Sequence, residues 1–347
     1  MEVPLMPTAA QTAPVVSLVD IATYFPEKRV PASHYEKYAV SDKAQSNPAL
    51  QPPPFRRHSP VDESNVDMIE RAAEVLAMRH GVNVLADVDV LLTHSQLVDL
   101  PFVGAGGEVA HRLGMSPEYI LDVHTGGCAA FVLLMKVARQ LLVSGAGRTA
   151  LIATANNSAG KLFDQDQVRK FAHAAAAGDA AAVGLLTLSG ESPILDIECR
   201  HYGEHAGQMK VGFESPRLWW QSGPGQGYLD FNPAQVFANG CQEVLDVISA
   251  VCGRAGIESQ DLALLVTSQP NPLFLRSWDD ALGIPRQRHR DTFDEYGNLF
   301  APAIPVNLDA AINDGQVQPG DVVMMAGFGH AGDFAAAAAL RWGGRPT

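Results

Sequence analysis

One cysteine stands where a strand pattern gives way to a helix pattern. Cys128 follows two glycines, and the apolar residues from Val132 to Val143 recur at helical spacing, which predicts that a helix begins at Cys128. Free backbone N–H groups and the positive end of a helix dipole favour a thiolate there, and the thiolate is the nucleophilic form. The glycines let a substrate approach the backbone closely. Cys128 is therefore a candidate nucleophile, and the alternative is a buried cysteine that only fills space.

The other three cysteines give no sign of such chemistry. Cys199, Cys241 and Cys252 form no CxxC pair with one another or with Cys128. This spacing provides neither a zinc site nor a disulfide framework, and it is typical of reduced thiols in the cytosol. We therefore expect no bound metal or other cofactor.

Composition limits the classes of partner. Of the 347 residues 47% are hydrophobic and 18% are charged, which is enough to build a large core in one or two domains. The formal net charge of −13 argues against general binding to nucleic acid or to an anionic membrane. No apolar run reaches about 18 residues, and the start of the sequence lacks the order of a signal peptide. These features favour a cytoplasmic protein without a membrane span.

Strand patterns alternate with helix patterns along the chain. The sequence predicts strands at 15–22, 89–94, 149–154 and 178–188, helices at 65–80 and 109–113, and an irregular segment at 43–57. This alternation predicts an α/β architecture with a largely buried sheet.

The chain also repeats itself. Residues 87–96 are similar to residues 260–269, and residues 178–188 are similar to residues 332–340. Because both pairs occur in the same order, we interpret the chain as two copies of one α/β unit. The predicted halves are 1–190, which carries Cys128, and 191–347.

Four segments together resemble the ketoacyl-ACP synthase III family of thiolase-like proteins, in which the cysteine carries an acyl group as a thioester. Besides the Cys128 segment, these are Ala177 to Val183, similar to the Gly-Asp-Gly-Ala strand of the family, Tyr296-Gly297-Asn298, similar to its Tyr-Gly-Asn segment, and Gly327 to Gly332, similar to its glycine-rich terminal loop. The resemblance implies a thiolase-like five-layer αβαβα fold with internal duplication, and a homodimer.

One departure from the family pattern bears on the reaction. Where the family has a His-Gln-Ala-Asn motif, this chain has Ser268-Gln269-Pro270-Asn271. In condensing members the histidine acts with the Tyr-Gly-Asn asparagine to stabilise the enolate left when a malonyl thioester loses CO₂. A serine hydroxyl is a weaker donor and cannot become cationic. We therefore expect decarboxylative condensation to be lost or very poor.

Transfer of the Cys128 acyl group to a hydroxyl or amine needs a general base instead, usually one of the eleven histidines. His330 is the first candidate, because it replaces a glycine of the loop that in the family helps to form the oxyanion hole; otherwise it is a loop residue that fills space. His201 and His205 are candidates at the substrate entrance, or solvated loop residues. His124 is expected to make a core hydrogen bond.

Further candidates follow from the resemblance and from charge. Asn298 keeps the donor position of the family, or serves only as a turn residue after Gly297. Trp219 and Trp220 either line an acceptor pocket or anchor their loop. A set of arginines is expected to form a basic patch for an acidic carrier protein, the alternative being an ordinary solvated loop. Its members are Arg276, Arg286, Arg288 and Arg290.

These observations predict an acyltransferase. It would accept an acyl group from an acyl-carrier protein, coenzyme A or another thioester on Cys128. It would pass that group to a small-molecule hydroxyl or amine, such as a sugar or an aminocyclitol, in antibiotic or related natural-product biosynthesis. One alternative is a starter-unit β-ketoacyl synthase that condenses with His330 or His201 in place of the missing histidine. Another is a non-catalytic partner subunit, in which Cys128 would be unreactive.

Overall fold

Two mixed five-stranded sheets form the framework of the protein. The computed structural model describes residues 14–38, 52–81, 83–99, 102–213, 217–218, 221–222 and 228–345. The strands are β1 (Val16–Tyr24), β2 (Lys28–Pro31), β3 (Phe55–His58), β4 (Val90–Ser95), β5 (Tyr119–Asp122), β6 (Thr149–Asn156), β7 (Ala180–Leu188), β8 (Ile194–His201), β9 (Lys210–Gly212), β10 (Tyr228–Asp230), β11 (Leu264–Thr267), β12 (His289–Arg290), β13 (Val322–Gly329) and β14 (Phe334–Arg341). The first sheet has the order β1-β7-β6-β4-β5 and the second the order β8-β14-β13-β11-β12.

The helices cover both faces of both sheets. They are α1 (Ser33–Glu36), α2 (Asn65–His80), α3 (Asn83–Ala86), α4 (Gly106–Arg112), α5 (Ala130–Val143), α6 (Pro233–Ala255), α7 (Pro272–Leu282), α8 (Phe293–Tyr296) and α9 (Ala303–Asn313). Helices α5 and α9 share one apolar cluster with both sheets and form the central layer. Helices α2 and α4 pack on the outer face of the first sheet, and α6 and α7 on that of the second. The result is the five-layer αβαβα arrangement.

The two sheets confirm the internal duplication predicted from the repeats. Strands β4 and β11, which carry the first pair of similar segments, occupy the same position in their sheets. The second pair gives β7 and β14, which also correspond. Strands β5 and β12 lie at equivalent edges, so the loop after each of them reaches the same region between the sheets.

A local signal in the sequence explains where helix α2 begins. Helix α2 spans the predicted residues because Ser64 and Asp67 close a capping box at its beginning. The prediction of an irregular segment at 43–57 is wrong at its end. Residues 39–51 lie outside the described part of the chain, but Phe55–His58 form β3, which pairs with β2. Inward and outward side chains alternate in β3, but the sequence shows no apolar pattern there. The inward side chains are Arg56 and His58, both buried.

Among the described residues, none of the helices combines the length and apolar character that crossing a bilayer requires.

The open edge of the first sheet carries exposed apolar side chains. Strand β5 is its last strand, and Ile120 and Leu121 are about two-fifths exposed. Phe102 and Val103, in the segment that leads to α4, are 98% and 80% exposed. An exposed apolar edge strand is a template for pairing with another chain.

We therefore expect the homodimer to pair along the β5 edge. Sedimentation at micromolar concentration should give a dimer, and Leu121→Glu should shift it to a monomer because a charge would be buried in the interface. Met78→Glu is the matched control, since Met78 is exposed on α2 and not on this edge. A monomeric wild-type protein, or a dimer that resists Leu121→Glu, would contradict this arrangement.

Candidate active site

Two glycines place Cys128 against the second half of the protein. After β5 the chain turns through Gly126 and Gly127, both with positive φ, into a short 3₁₀ turn that leads directly into α5. A Cβ on Gly127 would lie 2.9 Å from Gly329 Cα, and one on Gly126 would lie 2.9 Å from Ala130 Cα. Only glycine fits at both positions, and the prediction that Cys128 stands at a helix start is confirmed.

The surroundings of Cys128 do not favour a thiolate. The side chain keeps part of its exposure through a pocket, but it is otherwise surrounded by protein. Burial raises the pKa of the Cys128 thiol to about 12, opposed only by the N–H of its own backbone. Desolvation therefore opposes the activation expected from the helix start. Within the described part of the chain, no side chain makes a hydrogen bond to Cys128, so its reaction needs a base.

Cys128 lines a pocket with mainly apolar walls and many aromatic rings, the aromatic pocket. The pocket encloses about 930 Å³, including its open mouth. Its apolar lining includes Phe163, Phe231, Phe237, Phe274, Phe300 and Phe328. Three residues predicted from the sequence, Cys128, Asn298 and His330, line this one pocket. The structure thus brings together the candidate nucleophile, the candidate amide donor and the first candidate base.

His330 is held beside Cys128 by a carboxylate. It follows β13 with a φ of +50°, and its backbone N lies 3.1 Å from the position that a Cβ on Gly127 would take. Nδ1 of His330 lies 2.9 Å from Oδ1 of Asp333. An imidazole whose Nδ1–H is held by a carboxylate presents Nε2 as the basic atom, the arrangement used by catalytic triads. Sequence reasoning missed Asp333, although its place three residues after His330 was a usable signal.

Asn298 serves as a turn residue and as a potential donor. Its backbone is fixed by hydrogen bonds from Gly178 N to Asn298 O at 2.9 Å and from Asn298 N to Ala176 O at 2.7 Å. The side-chain Oδ1 accepts the N–H of Phe300 at 3.0 Å. The amide NH₂ group then remains for the pocket that Asn298 lines. The turn role is therefore observed, and the donor role stays a prediction.

Ser268 is sealed away from the pocket. It is fully buried after β11, and its Oγ has no hydrogen-bond partner among the described residues. The hydroxyl faces the backbone of Gly327, where an added Cβ would lie 2.9 Å from it. The next residue, Gln269, donates to Gly297 O at 2.6 Å and so ties this segment to the loop of Asn298. Ser268 holds the family position but is not among the residues described as lining the Cys128 pocket.

The other predicted histidines lie outside the Cys128 pocket. His201 is exposed at the end of β8, with its ring 4.9 Å from that of Phe334. His205 lines a separate pocket, with Nδ1 2.8 Å from Glu243 Oε1. His124 is exposed, so the expected core hydrogen bond is wrong.

The predictions for the two tryptophans and for the arginine patch have different outcomes. Trp219 and Trp220 lie outside the described residues. The predicted arginine patch is only half free, because Arg286 and Arg290 make ion pairs with neighbouring aspartates. Arg276 and Arg288 are exposed and make no ion pair within the described ranges.

Two further histidines, the half-buried His173 and the buried His94, were not singled out from the sequence. His173 lines the pocket with its ring among those of Phe163, Phe171 and Phe231, and burial lowers its pKa to about 4. His94 donates from Nδ1 to a backbone carbonyl at 2.8 Å, and burial lowers its pKa to about 4. Both are neutral near pH 7. No local pattern marks them, because their burial arises from tertiary packing.

Comparisons with known proteins point to one protein family. Two family models match: 3-oxoacyl-[acyl-carrier-protein (ACP)] synthase III at residues 121–203, and its C-terminal counterpart at residues 252–342. The β-ketoacyl-[acyl-carrier-protein] synthase III of a Synechococcus strain is 29% identical over 84% of this chain and 86% of its own. The protein of that name from Ruegeria pomeroyi is 26% identical over 93% and 97%. The crystal structure of the Thermus thermophilus synthase III superposes with a TM-score of 0.81 at 24% identity, covering 94% of this chain and 99% of that one.

The raised pKa of Cys128 has a measurable consequence. Below its pKa, the thiolate fraction rises about tenfold for each pH unit, so alkylation by iodoacetamide should still be accelerating at pH 9.5 without a plateau. Intact-mass measurement of labelling rates between pH 6 and 9.5 checks this, with Cys128→Ser as the control that loses the label. A plateau near neutral pH would mean that the helix start controls the thiol after all.

Proposed function

Because this chain belongs to the 3-oxoacyl-[acyl-carrier-protein] synthase III family, a family of transferases, we propose that it moves acyl groups through Cys128 to a hydroxyl or amine acceptor. The donor would be an acyl-carrier protein, coenzyme A or a related thioester, and the acceptor a sugar, an aminocyclitol or a similar molecule of natural-product biosynthesis. The observation that carries the proposal is the His330–Asp333 pair beside Cys128.

The first half-reaction would load the enzyme. Cys128 Sγ attacks the donor carbonyl while its proton passes to His330 Nε2, and the donor thiol leaves with that proton. A base is required, because burial keeps the thiol protonated near neutral pH. The oxyanion would be stabilised by the backbone N–H groups of Cys128 and of the His330 loop, a proposal supported by the close approach of the Gly127 turn to that loop.

The second half-reaction would unload it. The acceptor O–H or N–H attacks the Cys128 thioester, and His330 Nε2 takes the acceptor proton and returns it to the departing sulfur. The carboxylate of Asp333 stabilises the imidazolium that forms in between. No enolate arises in this route, so it does not depend on the family histidine.

Condensation would lack one of its donors. Asn298 lines the pocket, but Ser268 is buried and is not among the lining residues described for it. Loss of a single such donor typically costs on the order of 10²- to 10³-fold in rate. The starter-unit synthase remains the second candidate, because His330 lines the pocket and is a donor when protonated. His201 does not share that position.

We expect the acylated protein to make esters or amides and to release little CO₂. The purified protein is loaded on Cys128 by an acyl thioester and then given either a panel of amino and hydroxyl acceptors or malonyl-carrier protein, with products and CO₂ followed by mass spectrometry. Asp333→Asn should lower transfer by about 10²- to 10⁴-fold, because the tautomer and charge of His330 are no longer fixed.

Three results would count against this reading. A β-ketoacyl product with stoichiometric CO₂ would favour the synthase. Acylation of Cys199, Cys241 or Cys252 in place of Cys128 would remove the nucleophile. A Cys128 that no thioester acylates would favour the non-catalytic subunit.

Docking of a carrier protein can be tested separately at Arg276 and Arg288, the two arginines described above as making no ion pair. Arg276→Glu combined with Arg288→Glu should raise the apparent KM for a carrier-bound donor several-fold, because an acidic carrier would meet like charge. A small thioester donor should be unaffected. Arg148→Glu, at an exposed arginine of the other half, is the matched control. An equal effect on both donors would exclude docking at this surface.

A further inference from the structure

A second, polar pocket lies on the other side of His330. It encloses about 390 Å³, including its opening, and is lined by His205, Gly207, Met209, His330, Ala331 and Asp333. His330 and Met209 line both this pocket and the aromatic pocket of Cys128. The candidate base therefore stands in the wall between two cavities of opposite character.

Two histidine–carboxylate pairs meet at this polar pocket. In one, His330 Nδ1 lies 2.9 Å from Asp333 Oδ1, and in the other His205 Nδ1 lies 2.8 Å from Glu243 Oε1. His205 Nδ1 also lies 2.9 Å from the carbonyl O of Gly332. With both Nδ1 atoms engaged, both Nε2 atoms remain for a ligand. Oε2 of Glu243 is buried and has no hydrogen-bond partner among the described residues.

Helix α6 holds the loop that separates the two pockets. Asn239 Nδ2 donates to Ala331 O at 2.8 Å. Gly332 has a φ of +97°, and a Cβ there would lie 2.6 Å from Asn239 Cβ. Glu243, one turn further along α6, anchors His205. Helix α6 thus fixes the position of the loop that forms this pocket wall.

We propose that the polar pocket is the acceptor site, which takes a small polar molecule with a cationic amine, such as an amino sugar or amino alcohol, while the aromatic pocket holds the acyl donor. The proposal rests on the acyl transfer proposed above. Its charge argument is that Asp333 lines the site and that the buried carboxylate of Glu243 lies directly behind His205, whereas Lys210, nearby in sequence, lies 3.7 Å from Asp230. Aromatic walls suit an acyl chain but offer few partners to a polar acceptor.

The chemistry of the step places the acceptor on this side. A hydroxyl of the acceptor, or an amine in its neutral form, enters from the polar pocket, its O or N forms the bond to the thioester carbonyl carbon, and the C–S bond to Cys128 breaks. His330 Nε2 takes the acceptor proton and delivers it to the sulfur. Donor and acceptor then reach the reacting carbon from different sides, so neither has to leave before the other binds.

A plug in the polar pocket tests the site. Gly207 lines only this pocket, and a Cβ there meets open space. Gly207→Trp should raise the KM for glucosamine or 2-aminoethanol at least tenfold. Gly203→Trp is the matched control, because Gly203 lies in the same segment, is exposed and is not among the lining residues described for either pocket. Loading of Cys128 by a thioester, followed by intact mass, shows for each variant that the protein is folded.

A second variant tests the charge, and it also serves if Gly207→Trp fails to fold because of the positive φ of Gly207. Glu243→Gln should lower the preference for glucosamine over glucose, measured as the ratio of kcat/KM, at least fivefold. If transfer products form but both the KM and this ratio are unchanged, the acceptor site lies elsewhere. If Cys128 loads but no acceptor is acylated by the wild-type protein, the proposed function has failed instead.

Discussion

The site depends on the close approach of two loops that come from different halves of the chain. A Cβ on Gly329 would lie 2.6 Å from Gly126 O, and one on Gly127 would lie 2.9 Å from Gly329 Cα. Backbones can come this near only where both carry glycine. The contact presses the Cys128 turn against the His330 loop, and His330 itself adopts a left-handed backbone to follow it. The candidate nucleophile Cys128 and the candidate base His330 are neighbours because of this contact.

Internal duplication supplies the two loops and then makes them differ. The edge strands β5 and β12 are equivalent, as are the central helices α5 and α9. In the first half the loop between them carries Cys128, and in the second it carries Asn298, so one pocket receives a group from each copy. Gln269 strengthens the second loop by donating to Gly297 O. A symmetric framework thus produces an asymmetric site.

Much of this arrangement could be predicted from the sequence, and the exceptions have physical causes. The repeats correctly placed β4, β7, β11 and β14 because buried strands carry long apolar runs. The convergence of Cys128, Asn298 and His330 followed from the family pattern. What could not be predicted depends on tertiary packing. Examples are the place of His173 in the pocket wall, the exposure of His124, and the complete burial of Ser268.

Desolvation of Cys128 opposes the activation that a helix start provides. Burial in a largely aromatic pocket raises the pKa of the thiol, which makes the thiolate rarer but more nucleophilic once formed, and a poorer leaving group from its thioester. An acyl group stored there is shielded from water by the same walls. Breakdown of the thioester then requires a base that both assists the acceptor and returns a proton to sulfur. In the proposed acyl transfer His330, oriented by Asp333, would be that base, and access to His330 would then decide which acceptor is acylated.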